Sequence, residues 1–266
     1  MSGRQFDLFS AGGLAAEDQM VTSAEPSLPM PSNLDDAALI AALLTVRLAN
    51  CLALCAEAAR RKLIAAIPVL EALCRRFKGF GLEHTVPEQV AALRALTAIA
   101  TREGADAVRR ILADNVVQGP GLYDAVHAAV HLGCLLPPTI SLALLRHDDA
   151  RVRAAACRCV RPHADIAALL VNLLDDLHRP VAIAAACALG RAGRIEARPI
   201  LVRLLGTEPT EEVIDAVSSV ADDDCIVQLG RIGRTNQALS AVALAALDAI
   251  DSPRAQAVAS AVRRAA

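Results

Sequence analysis

The sequence predicts an all-α fold in which pairs of helices stack into a solenoid. Its 266 residues are 55% hydrophobic but only 2% aromatic, with no tryptophan and a single tyrosine, Tyr123. A core of alanine, leucine and valine is typical of helices that approach one another closely. Helical periodicity runs to the C-terminal end from Ser32, which with Asn33 offers N-cap oxygens for the first helix.

A repeat of about 30 residues is the strongest evidence for this fold. It is clearest in ALLRHDDARVRAAACRCVRPHADIAALLVNLL, from Ala143, and in LLDDLHRPVAIAAACALGRAGRIEARPILVRLL, from Leu173. Each unit has an acidic turn, a helix of small residues, a break and a leucine-rich helix. The first β-branched residue or leucine of each leading helix recurs every 29–32 residues, at Val90, Leu122, Val152, Val181, Val213 and Val242. Since one helix pair cannot bury its own apolar stripe, stacked neighbours are expected to share a continuous core.

This two-helix unit resembles the HEAT repeat, specifically the short type found in phycobilisome-lyase-like proteins. The resemblance rests on A-A-A-C before a helix break and on A-R-P-I-L after it, and it covers about 90–265 well and 36–80 loosely. It implies a right-handed α-solenoid with a concave face. The arginine that follows the leading valine in the family is present as Arg153 but is replaced by Ala182 in the next unit. A continuous ladder of Asp and Arg side chains is therefore not expected.

The N-terminal segment differs in composition from the rest of the chain. Residues 1–33 are rich in glycine, serine and proline and show no sustained helical pattern. We expect 1–33 to be a flexible, disordered tail. Residues 34–266 are expected to form the HEAT-like solenoid, in which 34–85 are irregular N-terminal capping helices and 86–266 are the repeats.

Net charge argues against nucleic acid as a direct partner. A formal charge of −2 provides no global attraction to phosphate, so direct nucleic-acid binding is expected to be weak or absent. Charges are nevertheless segregated locally. Residues 205–224 contain seven acids and no base, whereas 141–204 contain ten arginines and six acids. We interpret these segments as a solvated turn beside a solvated face.

We recognise no targeting signal in the sequence. No segment resembles a secretory signal, and the apolar run from Ala37 to Ala59 is interrupted by Arg47, Asn50 and Glu57, which would be costly within a bilayer. We therefore expect a cytoplasmic protein with no membrane association. Its eight cysteines are then expected to be reduced thiols.

A short aromatic motif, Q-F-D-L-F, lies in the predicted tail and contains two of the four phenylalanines. It resembles the bacterial sliding-clamp-binding pentapeptide, whose usual form is Q-L-[S/D]-L-F. The resemblance implies that Gln5 is a polar latch at the rim of the clamp pocket and that Leu8 and Phe9 are buried anchors. Asp7 takes the acidic or serine position, while Phe6 replaces the preferred Leu or Met, a departure that bears on affinity. In the competing interpretation, Phe6 or Phe9 folds back onto the first helix.

One segment, HAAVHLGC, carries residue types that bind metals. His127, His131 and Cys134 fall at i, i+4 and i+7, so all three could lie on one side of a helix and ligate a metal ion. No fourth ligand is evident, so we predict no metal site and interpret the three as core or groove-lining residues, with metal binding as the alternative. Cys157 and Cys187 occupy equivalent places in successive units, which indicates packing positions. We predict no cofactor.

These patterns favour a protein-interaction adaptor without catalytic residues. The chain has no G-x-G-x-x-G, G-x-x-x-x-G-K-[ST], G-x-S-x-G or H-E-x-x-H motif. Two enzyme classes remain as alternatives through the HEAT resemblance: alkylpurine DNA glycosylases, which use aromatic side chains around a catalytic Asp, and bilin lyases. We expect a bacterial adaptor that is tethered to the DNA polymerase sliding clamp by its tail and holds a second, unknown protein on its solenoid.

Overall fold

Fifteen α-helices and no strand make up residues 30–45 and 48–265, the part of the chain described by the computed structural model. The helix bounds are Asp36–Thr45 (α1), Leu48–Arg60 (α2), Ile67–Arg76 (α3), Pro87–Ile99 (α4), Arg102–Ala113 (α5), Leu122–His131 (α6), Pro138–Leu145 (α7), Ala150–Cys157 (α8), Ala164–Asn172 (α9), Arg179–Arg191 (α10), Arg198–Thr207 (α11), Glu211–Ser218 (α12), Asp223–Thr235 (α13), Ser240–Ala249 (α14) and Pro253–Ala265 (α15). Helices this short are marginal in isolation, so their stability comes from packing.

Alternate helices of the chain form two layers. In the leading layer α2, α4, α6, α8, α10, α12 and α14 each pack against the next. The trailing layer contains α3, α5, α7, α9, α11, α13 and α15, and each of these helices follows its leading helix in the chain. Within it, α3 packs on α5, α7 on α9, and both α11 and α15 on α13. This arrangement confirms the predicted all-α solenoid of stacked helix pairs.

The predicted repeat coincides with the leading layer. Its six periodic residues lie one in each of α4, α6, α8, α10, α12 and α14. Val90, Val152, Val181 and Val213 are buried, and the other two pack against the same core. The period therefore records one core position that is repeated from pair to pair.

Small side chains allow the leading helices to approach closely. The Ala-Ala-Ala-Cys segments of α8 and α10 are buried throughout. Gly190 of α10 lies so near α12 that an added Cβ would be 2.7 Å from the carbonyl oxygen of Ala216, and it would be 2.6 Å from Cδ1 of Leu201 in α11. Only glycine fits this position.

The cysteines are packing residues, as predicted for Cys157 and Cys187. All eight are unpaired and buried. Burial raises the pKa of both Cys157 and Cys187 to about 12. These thiols therefore remain protonated at neutral pH.

The first helix is capped by a residue other than those predicted. Oδ1 of Asp35 accepts a hydrogen bond from the backbone N–H of Ala38 at 2.7 Å. The prediction that Ser32 and Asn33 cap this helix is wrong, because they belong to a 3₁₀ turn that precedes it. Arg61, just after α2, donates from Nη2 to the carbonyl oxygen of Ser32 at 3.2 Å and so holds this turn.

Within residues 30–45 and 48–265, no helix has both the length and the apolar character needed to cross a bilayer. Residues 1–29 lie outside the described residues. The Gln5–Phe9 motif is therefore a prediction from the sequence alone.

Candidate functional site

Three ring side chains of α6 and the guanidinium of one arginine of α8 form a row across the leading layer. Tyr123, His127 and His131 follow one another at four-residue intervals along α6. The ring centres of Tyr123 and His127 are 5.4 Å apart, and those of His127 and His131 are 4.4 Å apart. Arg151 of α8 places its Cζ atom 5.1 Å from the Tyr123 ring centre. These four residues are called the aromatic row below.

The aromatic row borders a groove of about 390 Å³ between α4 and α6. The α4 wall contains Leu93, Arg94 and Thr97. Arg94 is exposed, and it forms no ion pair with any carboxylate among the described residues. Asp124 is the acidic residue of the lining. The groove thus presents an aromatic surface beside one arginine and one aspartate that do not pair with each other.

The two histidines of the row share a hydrogen bond. Nε2 of His127 and Nε2 of His131 are 3.3 Å apart, so one of the two imidazoles must be neutral to accept it. Partial burial lowers the pKa of His127, and positive charge on His131 lowers it further. The carboxylate of Asp124 acts in the opposite direction, and the guanidinium of Arg158 again lowers this pKa. His127 is therefore largely neutral at pH 7.

Cys134 lies apart from these histidines. Helix α6 ends at His131, and Gly133 has a φ of +62°, so the chain turns away from the helix axis. Sγ of Cys134 is buried against α5 and donates to the carbonyl oxygen of Ala105 at 3.4 Å. The predicted alignment of three ligands on one helix is wrong for Cys134. The glycine before it is the sequence signal that marks the end of the helix.

Metal-binding groups of three or more His, Cys, Asp or Glu side chains do not occur in the region from residue 30 to residue 265 outside its short gap. The pair formed by His127 and His131 is the part of the predicted set that the structure brings together. Tyr123, Arg94 and Arg151 were not predicted as site residues. Tyr123 lies one turn before His127, a spacing that can be read from the sequence, whereas the arginines come from other helices.

Grooves also open between helices of the trailing layer. One between α3 and α5 has a volume of about 420 Å³ and contains Ile64, Glu71 and Asp106. Another of about 540 Å³, between α5 and α7, is lined by apolar residues that include Leu112 and Ile140 and by several polar residues. Both grooves are lined by residues from successive trailing helices, a pairing that helical periodicity alone does not predict.

The segregated charges of the sequence meet one another in the fold. Arg158, just after α8, donates from Nε and Nη2 to the carboxylate of Glu212 in α12, at 2.9–3.1 Å. Arg179 of α10 donates to Glu208 at 2.6 Å. The prediction of a solvated turn beside a solvated face is therefore incomplete, because ion pairs join the two. Because these pairs are partly or largely exposed, each contributes little stability by itself.

A more buried ion pair joins two successive repeats. Arg153 of α8 contacts Asp176 through Nε to Oδ2 at 2.9 Å and through Nη2 to Oδ1 at 3.0 Å. The same guanidinium donates from Nη1 to the carbonyl oxygens of His147 and Asp148, both at 2.8 Å. Ala182, at the equivalent position of the next repeat, has no side chain that could do this. This arginine–aspartate contact is therefore not repeated by residue 182.

Residues 137–221 match a family model described as HEAT repeats. The matched segment begins just before α7 and ends after α12, so it includes the ion pair between Arg153 and Asp176. A comparison of the chain with curated proteins found no match. Together with the stack of helix pairs, the family match supports a HEAT-repeat protein, and HEAT repeats are commonly protein-interaction scaffolds.

Proposed function

We propose that this protein is a non-enzymatic adaptor that holds one protein on its solenoid and attaches to the bacterial sliding clamp through residues 5–9. The solenoid part of the proposal rests mainly on the groove beside the aromatic row. HEAT-type stacks present extended surfaces on which partner segments dock. The clamp part rests on the sequence motif.

The groove contains the residue types that dominate protein interfaces. Tyrosine and arginine are enriched among interface residues whose truncation costs the most binding energy. The single tyrosine of the chain lies in this row, with Arg151 against its ring and unpaired Arg94 on the facing wall. A partner segment that carries an apolar side chain next to a carboxylate would complement both features.

Four of the buried ionisable groups have structural surroundings, which fits an adaptor. The thiols of Cys157 and Cys187 are buried and protonated, so they are poor nucleophiles. The buried carboxylates of Glu71 and Asp176 accept hydrogen bonds from arginines, which is a structural role. The adaptor proposal assigns no reaction to any of these groups.

The tail would add the clamp as a second partner. In the proposed complex Gln5 binds at the rim of the clamp pocket while Leu8 and Phe9 enter it. Residues 10–29 separate this motif from the described solenoid, and a fully extended segment of that length spans at most about 70 Å. Tethering within this radius would raise the local concentration of the solenoid near clamp-loaded DNA.

Clamp attachment is tested with the full chain and purified bacterial sliding clamp in a binding titration. We expect Leu8→Ala combined with Phe9→Ala to weaken binding at least tenfold while leaving the circular dichroism spectrum unchanged. Phe80→Ala is the matched control, since Phe80 is an exposed phenylalanine between α3 and α4. Equal binding by the double variant and the wild type, or no binding by the wild type, would contradict the tether.

The solenoid surface is tested by a photo-crosslinking amino acid at position 127, compared with one at position 203 in the trailing layer. A protein captured at position 127 would be purified and titrated against the wild type, Tyr123→Ala and Arg94→Glu. The proposal expects both variants to bind it at least tenfold more weakly. Unchanged affinity would remove the groove from the proposed interface.

The enzyme alternative is addressed by incubating the full chain with alkylated duplex DNA, with and without clamp. The adaptor proposal expects no release of alkylated base above a protein-free control. Release that depends on the folded chain would contradict a purely non-enzymatic role.

A further inference from the structure

The nitrogen atoms of the histidine pair are spaced as a metal ion requires. The two Nε2 atoms of His127 and His131 lie 3.3 Å apart on the surface of α6. Two nitrogens that bind one tetrahedral Zn²⁺ at about 2.05 Å each are themselves separated by about 3.3 Å. A bound ion could therefore replace the shared hydrogen bond with no change in the helix.

The helix itself fixes this spacing. Residues i and i+4 lie above one another on a helix face, so both imidazoles project from adjacent turns of α6. Both residues are exposed and line the open groove between α4 and α6. By comparison, the ring of His147 accepts the backbone N–H of Asp149, and the ring of His178 lies against the Asp176 carboxylate.

We propose that His127 and His131 form a two-ligand site for a tetrahedral divalent transition metal of the Zn²⁺ or Co²⁺ class. The two remaining coordination positions face the groove and belong to water or to a side chain of a bound protein. The site needs no third ligand from this chain, and it stands whether or not the adaptor proposal is correct.

Charges around the pair act in both directions. Asp124, one turn before His127, attracts a cation into the groove, whereas the guanidinium of Arg94 on α4 repels it. The site has only two protein ligands, and the nearby charges oppose each other. Its affinity for Zn²⁺ is therefore expected to be below that of a structural zinc site with four protein ligands. The 3.3 Å separation favours tetrahedral over square-planar ions, whose neighbouring ligands lie closer together.

The test uses the full chain, prepared without a histidine tag, and two probes. Zn²⁺ affinity is measured by competition with a chromophoric chelator, and Co²⁺ coordination is read from its visible d–d absorption. We expect the wild type to bind with intense tetrahedral Co²⁺ bands. His127→Ala and His131→Ala should each lose these bands and weaken Zn²⁺ binding at least tenfold, which is about 1.4 kcal/mol.

His163→Ala is the matched control, because it removes a histidine that precedes α9, away from the pair. It should retain wild-type affinity and spectrum. His131→Cys replaces one ligand by another that zinc accepts, so it should retain Zn²⁺ binding while shifting the Co²⁺ spectrum. Circular dichroism checks that each variant is folded. The proposal is overturned if the wild type shows no tetrahedral Co²⁺ bands, or if folded His127→Ala and His131→Ala bind Zn²⁺ as the wild type does.

Discussion

Arg153 and Asp176 form a two-pronged ion pair, with Nε to Oδ2 at 2.9 Å, that joins the leading helix of one repeat to the turn before the next. Only 14% of the arginine side chain and 8% of the aspartate side chain are exposed. The backbone N–H of His178 also donates to Asp176, at 2.8 Å. Nearly every polar atom of the two side chains thus forms a hydrogen bond. The pair therefore fixes the position of one repeat against the next.

Removing one partner of this pair should destabilise the solenoid. Asp176→Ala leaves the Arg153 guanidinium nearly buried without its carboxylate, so we expect the free energy of unfolding to fall by about 3 kcal/mol. Urea unfolding followed by circular dichroism measures the change. Arg179→Ala breaks the exposed pair with Glu208 and should cost no more than about 1 kcal/mol. Equal losses in the two variants would show that burial of the pair is unimportant.

The same pair predicts a pH dependence of stability. Burial by itself raises the pKa of Asp176, but hydrogen bonds from Arg153 and from the His178 N–H bring this pKa below its usual range. Since the folded-state pKa is depressed, the stabilisation is complete above the unfolded value of about 3.9 and is lost as pH falls through the folded value.

We therefore expect wild type and Asp176→Asn to differ in their free energy of unfolding at about pH 5 and to converge as the pH falls below about 4. Urea titrations across this range measure the difference. Other depressed carboxylates such as Glu71 are present in both proteins and cancel in the comparison. A difference that grows as the pH falls from about 5 to below 4 would contradict the assignment.

Because α10 lies close to α12, adding one methyl group at Gly190 should lower the free energy of unfolding. Gly190→Ala would place Cβ 2.7 Å from the Ala216 carbonyl oxygen, and the two helices must separate to admit it. We expect the free energy of unfolding, measured by urea titration, to fall by about 1–3 kcal/mol. At Gly206, near the end of α11, the added Cβ would meet its nearest atom, Oε1 of Gln228, at 3.4 Å. Gly206→Ala should therefore be neutral or stabilising by up to about 1 kcal/mol.

A buried amide links three segments near the N-terminal end of the stack. Nε2 of Gln89 donates to the carbonyl oxygens of Cys74, at 3.0 Å, and Val116, at 3.3 Å. Gln89→Leu would leave both acceptors without this donor, and we expect a loss of about 1–3 kcal/mol. The more exposed bond of Gln118 to the Asn115 carbonyl provides the control, since Gln118→Ala should change the urea midpoint far less. Similar midpoints for both variants would contradict a structural role for Gln89.

Periodicity in the sequence determined the leading helices and their buried residues. Val152, Val181 and Val213 fall at equivalent core positions because every stacked pair places the same residue against the next pair. The Ala-Ala-Ala-Cys segments likewise indicated close helix packing, which the structure confirms. These features depend on near neighbours in the repeat, so a local pattern carries them.

Tertiary structure alone decided which distant side chains meet. Arg158 and Glu212 are 54 residues apart, and they pair because α8 and α12 lie on either side of α10 in one layer. Cys134 lies away from the histidine pair because α6 ends before it. Arg151 contacts the Tyr123 ring because α8 packs against α6. Helix ends and crossings set these contacts, and a repeat period contains information about neither. The sequence alone therefore determines the order and period of the repeats. The groove between α4 and α6, with its charged residues and its histidine pair, forms only when the repeats stack.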